Sequence, residues 1–129
     1  MARCKVSIVI PSYNSRKTLP LALEALQKQK TSVPFEIILV DSSTDGSADL
    51  VAARFPCVKL IRSEQRLYPG AGRNRGIREA TGEILAFTDA DCIADPGWVE
   101  AITLSHLSDI GAIGGVVENA NPENAIGWA

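Results

Sequence analysis

The stretch VSIVIPSYN, residues 6–14, joins a nearly continuous apolar run to a short polar turn. Its first part, Val6–Ile10, is apolar almost throughout, which is typical of a central strand covered on both faces of a sheet. Phe35–Val40 has the same pattern, while Val58–Ile61 and Ile84–Thr88 are further short runs rich in apolar side chains. Four strands are therefore predicted, and the first two are expected to lie inside the sheet.

Segments with helical periodicity separate these strands. Leu19, Leu23 and Leu26 fall on one helical face. Thr18 is a plausible N-cap for that helix, and Pro20 is tolerated in its first turn. The other helix candidates are the face formed by Ala48, Val51, Ala52 and Phe55, and the segments Gly72–Ala80 and Trp98–His106.

Alternation of strands and helices predicts right-handed βαβ units on a parallel sheet. Ala112–Val117 is a fifth strand-like run, although Gly114 and Gly115 weaken it. The predicted fold class is α/β: a mostly parallel sheet with helices on both faces. Ligands of such sheets bind outside the carboxyl ends of the strands, so the residues that follow each strand are the candidates for a site.

Composition excludes several classes of protein. The chain has 129 residues, suits one domain, and carries a net charge of −2, so it lacks the basic excess of a general nucleic-acid binder. Cys4, Cys57 and Cys92 are odd in number and show no CxxC spacing, which argues against disulfides or a zinc site and indicates a reducing compartment. No apolar run approaches the length of a membrane span. The predicted location is the cytoplasm or the cytoplasmic face of a membrane, with membrane attachment expected only through further segments.

Two carboxylates, Asp89 and Asp91, follow the fourth predicted strand. If the backbone turns there, they can bind one hard cation. Such a cation could bridge the phosphates of a nucleoside diphosphate and offset the charge that develops as the diphosphate leaves. The alternative is a solvated loop. Only the position of the two carboxylates after an apolar strand favours a metal site over that alternative. An EF-hand is excluded because Ile93 stands where a third oxygen ligand is required.

Polar residues also follow the first two strands. Asp41 could accept a hydrogen bond from a nucleobase or a ribose, or could cap the following turn. Asp45 is assigned to that turn as a cap. Tyr13 could stack on a base, with Pro11 shaping the turn beneath it, although a plain strand-to-helix loop is the alternative.

The segment GAGRNRG, residues 70–76, does not fit a dinucleotide fingerprint, because its spacing is GxGxxxG and it follows the third strand. We interpret it as a helix start whose N–H groups and Arg73 face an anion. Arg73 and Asn74 are therefore candidates for substrate binding. His106 is the single histidine and is expected to pack or to face solvent, and Cys92 is expected to be a small buried side chain.

Together, four motifs resemble glycosyltransferase family 2 over nearly the whole chain. They are IVIPSYN at residues 8–14, ILVDSSTDGS at 38–47, GRNRGI at 72–77 and AFTDAD at 86–91. The resemblance implies the GT-A fold, which is a Rossmann-like nucleotide-binding sheet. It also implies an inverting transfer from an NDP-sugar, commonly UDP-linked, with Mg²⁺ or Mn²⁺. The acceptor, whether glycan, lipid or protein, is not implied.

The resemblance also implies roles for individual residues. Carried over by position, Pro11 and Tyr13 border the nucleotide, Asp41 hydrogen-bonds the base with Arg73 near it, Asp89 contacts ribose or sugar, and Asp91 reaches the metal. One position departs from the pattern, because Ser42 stands where many members have a second acid.

The family places its catalytic base and acceptor site beyond the position of Gly114 and Gly115. Glu118 and Glu123 come too early for that base, so no catalytic residue is assigned. Residues 1–129 are expected to be the nucleotide-sugar-binding part of a GT-A domain, with the acceptor-binding half missing. One alternative is a non-catalytic nucleotide-sugar-binding fragment. Another, a sugar-1-phosphate nucleotidyltransferase, would need a Gly-rich phosphate loop after the first strand, and PSYN does not provide one.

Overall fold

The computed structural model describes residues 3–106 and 111–118. Strands and helices alternate along the chain, as the sequence predicts. The elements are β1 (Val6–Ser12), α1 (Leu19–Gln27), β2 (Phe35–Asp41), α2 (Ser47–Arg54), β3 (Lys59–Arg62), α3 (Pro69–Glu79), β4 (Ile84–Phe87) and α4 (Trp98–Ser105).

The four strands form one parallel sheet in the order β3-β2-β1-β4. The predicted α/β class is therefore confirmed. β1 and β2 each extend beyond their apolar runs, so that Ser12 and Asp41 become register partners at the carboxyl edge of the sheet. The loops that follow β1, β2 and β4 leave from this same edge, because all the strands are parallel.

Helices cover both faces of the sheet. On one face, Ile8 and Ile10 of β1 share a core with Leu19, Leu23 and Leu26, the face predicted for α1. On the other face, Val9, Ile38 and Val40 form a second cluster beneath α3. Consecutive residues of β1 thus enter opposite cores, which explains why the run shows so little polar alternation.

Two glycines allow α3 to lie close to the sheet. A Cβ atom at Gly72 would lie 3.0 Å from the Cβ atom of Pro11, and one at Gly76 would overlap Cγ1 of Val9. Both glycines are buried and are four residues apart, so they share one face of the helix. The glycines of the GRNRGI motif therefore serve packing, while Arg73 between them remains partly exposed.

Several local predictions were wrong. Residues 111–118 form no strand, and Val116 and Val117 are 92% and 86% exposed. Two consecutive glycines at 114 and 115 weaken strand formation, and no strand within the described residues pairs with this segment. Thr18 does occupy the predicted N-cap position of α1, but its hydroxyl donates to the carbonyl oxygen of Ser15 instead of accepting from the helix. Ala52 of α2 is exposed, although it was placed on the buried face.

The starts of α2 and α3 can also be compared with the prediction. α3 begins at Pro69, three residues before the predicted Gly72, because proline is well suited to a first helical position. Asp45 accepts hydrogen bonds from the backbone N–H and the hydroxyl of Ser47 at the start of α2. Gly46 is the N-cap residue of this helix, so Asp45 stabilises the turn that precedes it, which is the role assigned to Asp45 from the sequence. No helix in residues 3–106 or 111–118 has the length and apolar character needed to cross a membrane.

At the opposite, amino edge of the sheet, Glu36 joins three segments. Its Oε1 atom accepts hydrogen bonds from Ser7 Oγ (2.6 Å), Thr81 N (2.7 Å) and Thr81 Oγ1 (2.9 Å). Ser7 Oγ in turn accepts from the N–H of Gly82 at 2.7 Å. Burial by itself would raise the pKa of Glu36, but these hydrogen bonds outweigh it and hold the pKa below its ordinary value.

Replacement of Glu36 by glutamine is expected to lower the free energy of unfolding by about 1 kcal/mol at neutral pH, because a charged acceptor becomes neutral. A carboxylate with a lowered folded pKa contributes stability above its unfolded pKa, near 4.5, and loses it as pH falls through the folded value. Urea unfolding from pH 7 to pH 3 should therefore show a gap between the two proteins that closes in acid. The exposed Glu64, changed to glutamine, is the control. A gap that is constant with pH would contradict this role of the charge.

Candidate functional site

A pocket of about 330 Å³ opens at the carboxyl edge of the sheet. Its wall is formed by the end of β1 and the loop after it, the connection between β3 and α3, the first turns of α3, and the loop after β4. The lining residues are Pro11, Ser12, Tyr13, Arg66, Leu67, Tyr68, Pro69, Arg73, Asp89 and Asp91. The structure thus brings together five of the seven predicted substrate and metal residues. Asp41 and Asn74 do not line this pocket.

The two carboxylates after β4 lie on a turn. The N–H of Cys92 donates to the carbonyl oxygen of Asp89 at 3.1 Å, so the backbone folds back as metal binding would require. Ligand atoms of Asp89, Asp91 and Cys92 all lie within 4.8 Å of one another. Exposed carboxylate oxygens on a turn suit Mg²⁺ or Mn²⁺, which commonly take one or two protein carboxylates and complete their shell with water and phosphate oxygens. The residues present therefore fit such an ion.

The thiol of Cys92 is not an activated nucleophile. Burial and the negative charge of Asp91 both raise the pKa of Cys92 above its ordinary value. Its Sγ atom lies 3.7 Å from Oδ1 of Asp91, as a weak donor to that carboxylate. Cys92 is only half-buried, so the expectation of a buried side chain is met in part.

Arg73 reaches from α3 to the loop after β4. Its Nη2 atom donates to Oδ1 of Asp89 at 3.0 Å. The two side chains are 37% and 52% exposed, so this ion pair contributes little to stability and can exchange partners with a ligand. Asn74, the next residue of the helix, is exposed.

Asp41 is buried at the end of β2, only 2% exposed. Its two carboxylate oxygens accept from one residue: Oδ1 from Ser43 Oγ at 2.7 Å and Oδ2 from Ser43 N at 3.2 Å. The turn-stabilising role considered for Asp41 is therefore present. The adjacent Ser42 accepts from the N–H of Leu67 at 3.0 Å, which ties the connection between β3 and α3 to the end of β2.

Sequence reasoning missed part of the pocket wall. Arg66 is not among the residues predicted for the site, yet its guanidinium lies 4.0 Å from the ring centroid of Tyr13 and 4.7 Å from that of Tyr68. Ser12 was read only as part of a turn. Its Oγ atom is buried and has no hydrogen-bond partner among the described residues. Arg66 and Tyr68 lie in the irregular connection just before the Pro-Gly start of α3, where neither periodicity nor a strand end marks them.

His106 lies at the end of α4, where its Nδ1 atom is 2.8 Å from the carbonyl oxygen of Ile102. It contacts its own helix and is not among the lining residues of the pocket. This agrees with the expectation that the single histidine packs or faces solvent.

Comparisons with known proteins agree on one family. The family model described as Glycosyl transferase family 2 matches residues 7–128. The uncharacterized glycosyltransferase YibD of Escherichia coli strain K12 is 34% identical over 108 residues, 81% of this chain and 31% of that protein. The crystal structure of S. aureus TarS 1-349 in complex with UDP has a TM-score of 0.67 at 27% identity, covering 89% of this chain and 38% of that one.

A second similar structure is that of the mannosyltransferase PcManGT from Pyrobaculum calidifontis in complex with GDP-Man and Mn²⁺. It has a TM-score of 0.60 at 32% identity, covering 70% of this chain and 28% of that one. Matches to the first three curated relatives cover between 24% and 40% of their length.

Proposed function

This chain belongs to glycosyltransferase family 2 and has its GT-A fold, and we propose that it forms the part of the enzyme that binds the nucleotide-sugar donor. The pocket at the carboxyl edge of the sheet is the observation that carries this proposal. Two loops and one helix bring four predicted site residues together there: Tyr13, Arg73, Asp89 and Asp91. The proposed reaction is an inverting transfer of the sugar from an NDP-sugar to an acceptor hydroxyl.

In this proposal, Asp91 holds a divalent cation with Asp89 beside it. Mg²⁺ or Mn²⁺ bound there would supply positive charge against the diphosphate as it leaves. Asp89 changes its hydrogen-bond partner from Arg73 to a ribose or sugar hydroxyl. Arg73 then becomes available to an anionic or carbonyl oxygen of the donor, and the weak, exposed ion pair that it forms now does not oppose the exchange.

The proposed nucleotide lies against Pro11 and Tyr13. Asp41 is proposed to accept from the base, since each carboxylate oxygen has a lone pair left after its bond to Ser43. We favour a UDP-linked donor. A structurally similar protein has been crystallised with UDP, and another with GDP-Man and Mn²⁺. We propose no residue of this chain as the catalytic base.

The chain is expected to bind UDP in the presence of Mg²⁺ or Mn²⁺ more tightly than NAD, by about tenfold or more. The reasons are that Asp41 at the end of β2 is proposed to accept from the base, and that the segment 70–76 lacks the spacing of a dinucleotide fingerprint. Isothermal titration calorimetry with UDP, GDP and NAD tests this, with EDTA as the metal-free control. Equal or tighter binding of NAD, or no nucleotide binding at all, would refute the proposed donor site. Tighter binding of GDP than of UDP would refute only the choice of base.

A further inference from the structure

The guanidinium of Arg66 lies over two aromatic rings in the wall of the pocket. Its Cζ atom is 4.0 Å from the ring centroid of Tyr13 and 4.7 Å from that of Tyr68. A cation within about 6 Å of a tyrosine ring face is attracted by the quadrupole of the ring. Two such rings limit the positions that this long side chain samples.

Arg66 also keeps its hydrogen-bond donors available. Among the described residues, five ion pairs form and none of them includes Arg66, whereas Arg73 on the same pocket is paired with Asp89. A guanidinium carries five N–H donors in one plane. A cation–π contact does not use an N–H group in a hydrogen bond to an oxygen, so these donors remain available to a ligand.

Ser12 gives a second, independent sign of a ligand in this pocket. Its side chain is only 5% exposed, it lines the pocket, and its Oγ atom lacks a partner in the part of the chain that the structure describes. A buried hydroxyl without a partner is unfavourable, so an oxygen supplied by a ligand would be stabilised there.

The charges of the pocket are divided between its walls. Asp89 and Asp91 carry negative charge on the loop after β4, and Arg66 carries positive charge on the connection before α3. Pro69, the first residue of α3, lines the same pocket, so the positive end of the helix dipole adds to the charge of Arg66. A ligand that combines anionic oxygens with a bound cation matches this division.

We propose that Arg66 is an anion-binding residue that contacts the phosphate oxygens of the donor, and that Tyr68 together with Tyr13 positions it. This inference rests on the proposed function, which supplies the phosphates. Ser12 is a further hydrogen-bonding group for the same ligand. Because Arg66 covers a face of Tyr13, a base that stacked on that face would have to displace it.

The test uses three probes that separate phosphate from base: inorganic pyrophosphate, uridine and UDP, each titrated in the presence of Mg²⁺. Arg66→Ala is expected to weaken binding of pyrophosphate and UDP by about tenfold and to change uridine binding by less than about twofold. Arg66→Lys keeps the charge but loses the planar fork, so its affinity should be intermediate. Arg78→Ala removes the same charge on an exposed turn of α3 away from the pocket and should leave all three affinities unchanged.

Tyr68→Leu separates positioning from direct contact. It is expected to weaken pyrophosphate binding less than Arg66→Ala does, and to have no further effect when Arg66 is already alanine, because its role acts through Arg66. Additive effects of the two changes would overturn the positioning role of Tyr68.

Three outcomes would overturn the assignment of Arg66. Equal losses for uridine and pyrophosphate would mean that Arg66 contacts the base. Tighter binding of UDP by Arg66→Ala would mean that Arg66 blocks Tyr13, and unchanged affinities would mean that it is merely solvated. The proposed function fails separately: if UDP binds no more tightly than pyrophosphate, the site does not recognise a nucleotide, even where pyrophosphate binding depends on Arg66.

Discussion

Replacement of Asp91 by asparagine is expected to abolish the dependence of UDP binding on Mg²⁺ or Mn²⁺ and to weaken binding in the presence of metal by about 100-fold. The amide keeps the shape of the side chain and removes the charge that would hold the cation. Asp91 is exposed at the pocket, and its loss leaves no unpaired buried group, so the fold should remain intact. Titration calorimetry with and without EDTA measures the effect.

A matched control is available on α2. Asp49 is an exposed aspartate that pairs with Arg62 at 2.8 Å, on the outside of the sheet and not in the lining of the pocket. Asp49→Asn makes the same chemical change and should leave both UDP affinity and its metal response as in the unmodified chain. If Asp91→Asn keeps an unchanged metal response, the assignment of the metal to Asp91 is wrong.

Asp89→Asn should affect donor binding differently from Asp91→Asn, because Asp89 is proposed to contact a ribose or sugar hydroxyl as well as lying beside the cation. Its loss also releases Arg73, whose guanidinium now donates to it. The two variants therefore separate a carboxylate that holds the cation from one that holds the sugar and an arginine.

The sequence was most informative about the sheet, because a strand that is buried on both faces needs apolar side chains at consecutive positions. Val9 and Ile10 enter different cores, so both must be apolar, and the run Val6–Ile10 could be recognised without any partner strand. The same reasoning failed for residues 112–117, where an apolar run lies exposed. Composition alone does not show whether an apolar segment has a neighbouring strand with which to pair.

The pocket could be predicted in part. The loops that follow parallel strands all begin at the same edge of the sheet, so Tyr13, Asp89 and Asp91 were expected to lie close together. All three line the pocket. Arg66 and Tyr68 could not be predicted in this way, because their place depends on the path of an irregular connection. That path is fixed by long-range contacts such as the hydrogen bond from Leu67 to Ser42.

Gly76→Ala is expected to lower the free energy of unfolding of this chain by about 2–3 kcal/mol, the upper part of the usual range for overfilling a well-packed core. The new methyl group would overlap Cγ1 of Val9 and lie 3.3 Å from Cγ2 of Val40. Both neighbours are buried, β-branched residues of central strands, so they have little freedom to move aside. The helix must then shift away from the sheet, and Arg73 on that helix shifts with it. Urea unfolding measures the loss of stability.

Two further variants test whether the close approach of α3 to the sheet causes the loss of stability in Gly76→Ala. Gly70→Ala changes the first turn of the same helix, where a methyl group meets nothing within 4 Å, and it should be neutral or stabilise by about 0.5 kcal/mol through helix propensity. Val9→Ala alone should destabilise by about 2 kcal/mol by leaving a cavity. Combined with Gly76→Ala, it removes the overlapping methyl groups, so the double variant should be more stable than the sum of the single losses by about 1–2 kcal/mol. If the losses of stability in the two single variants simply add in the double variant, the steric explanation for Gly76 is wrong. A steric conflict between two atoms cannot persist after one of them has been removed.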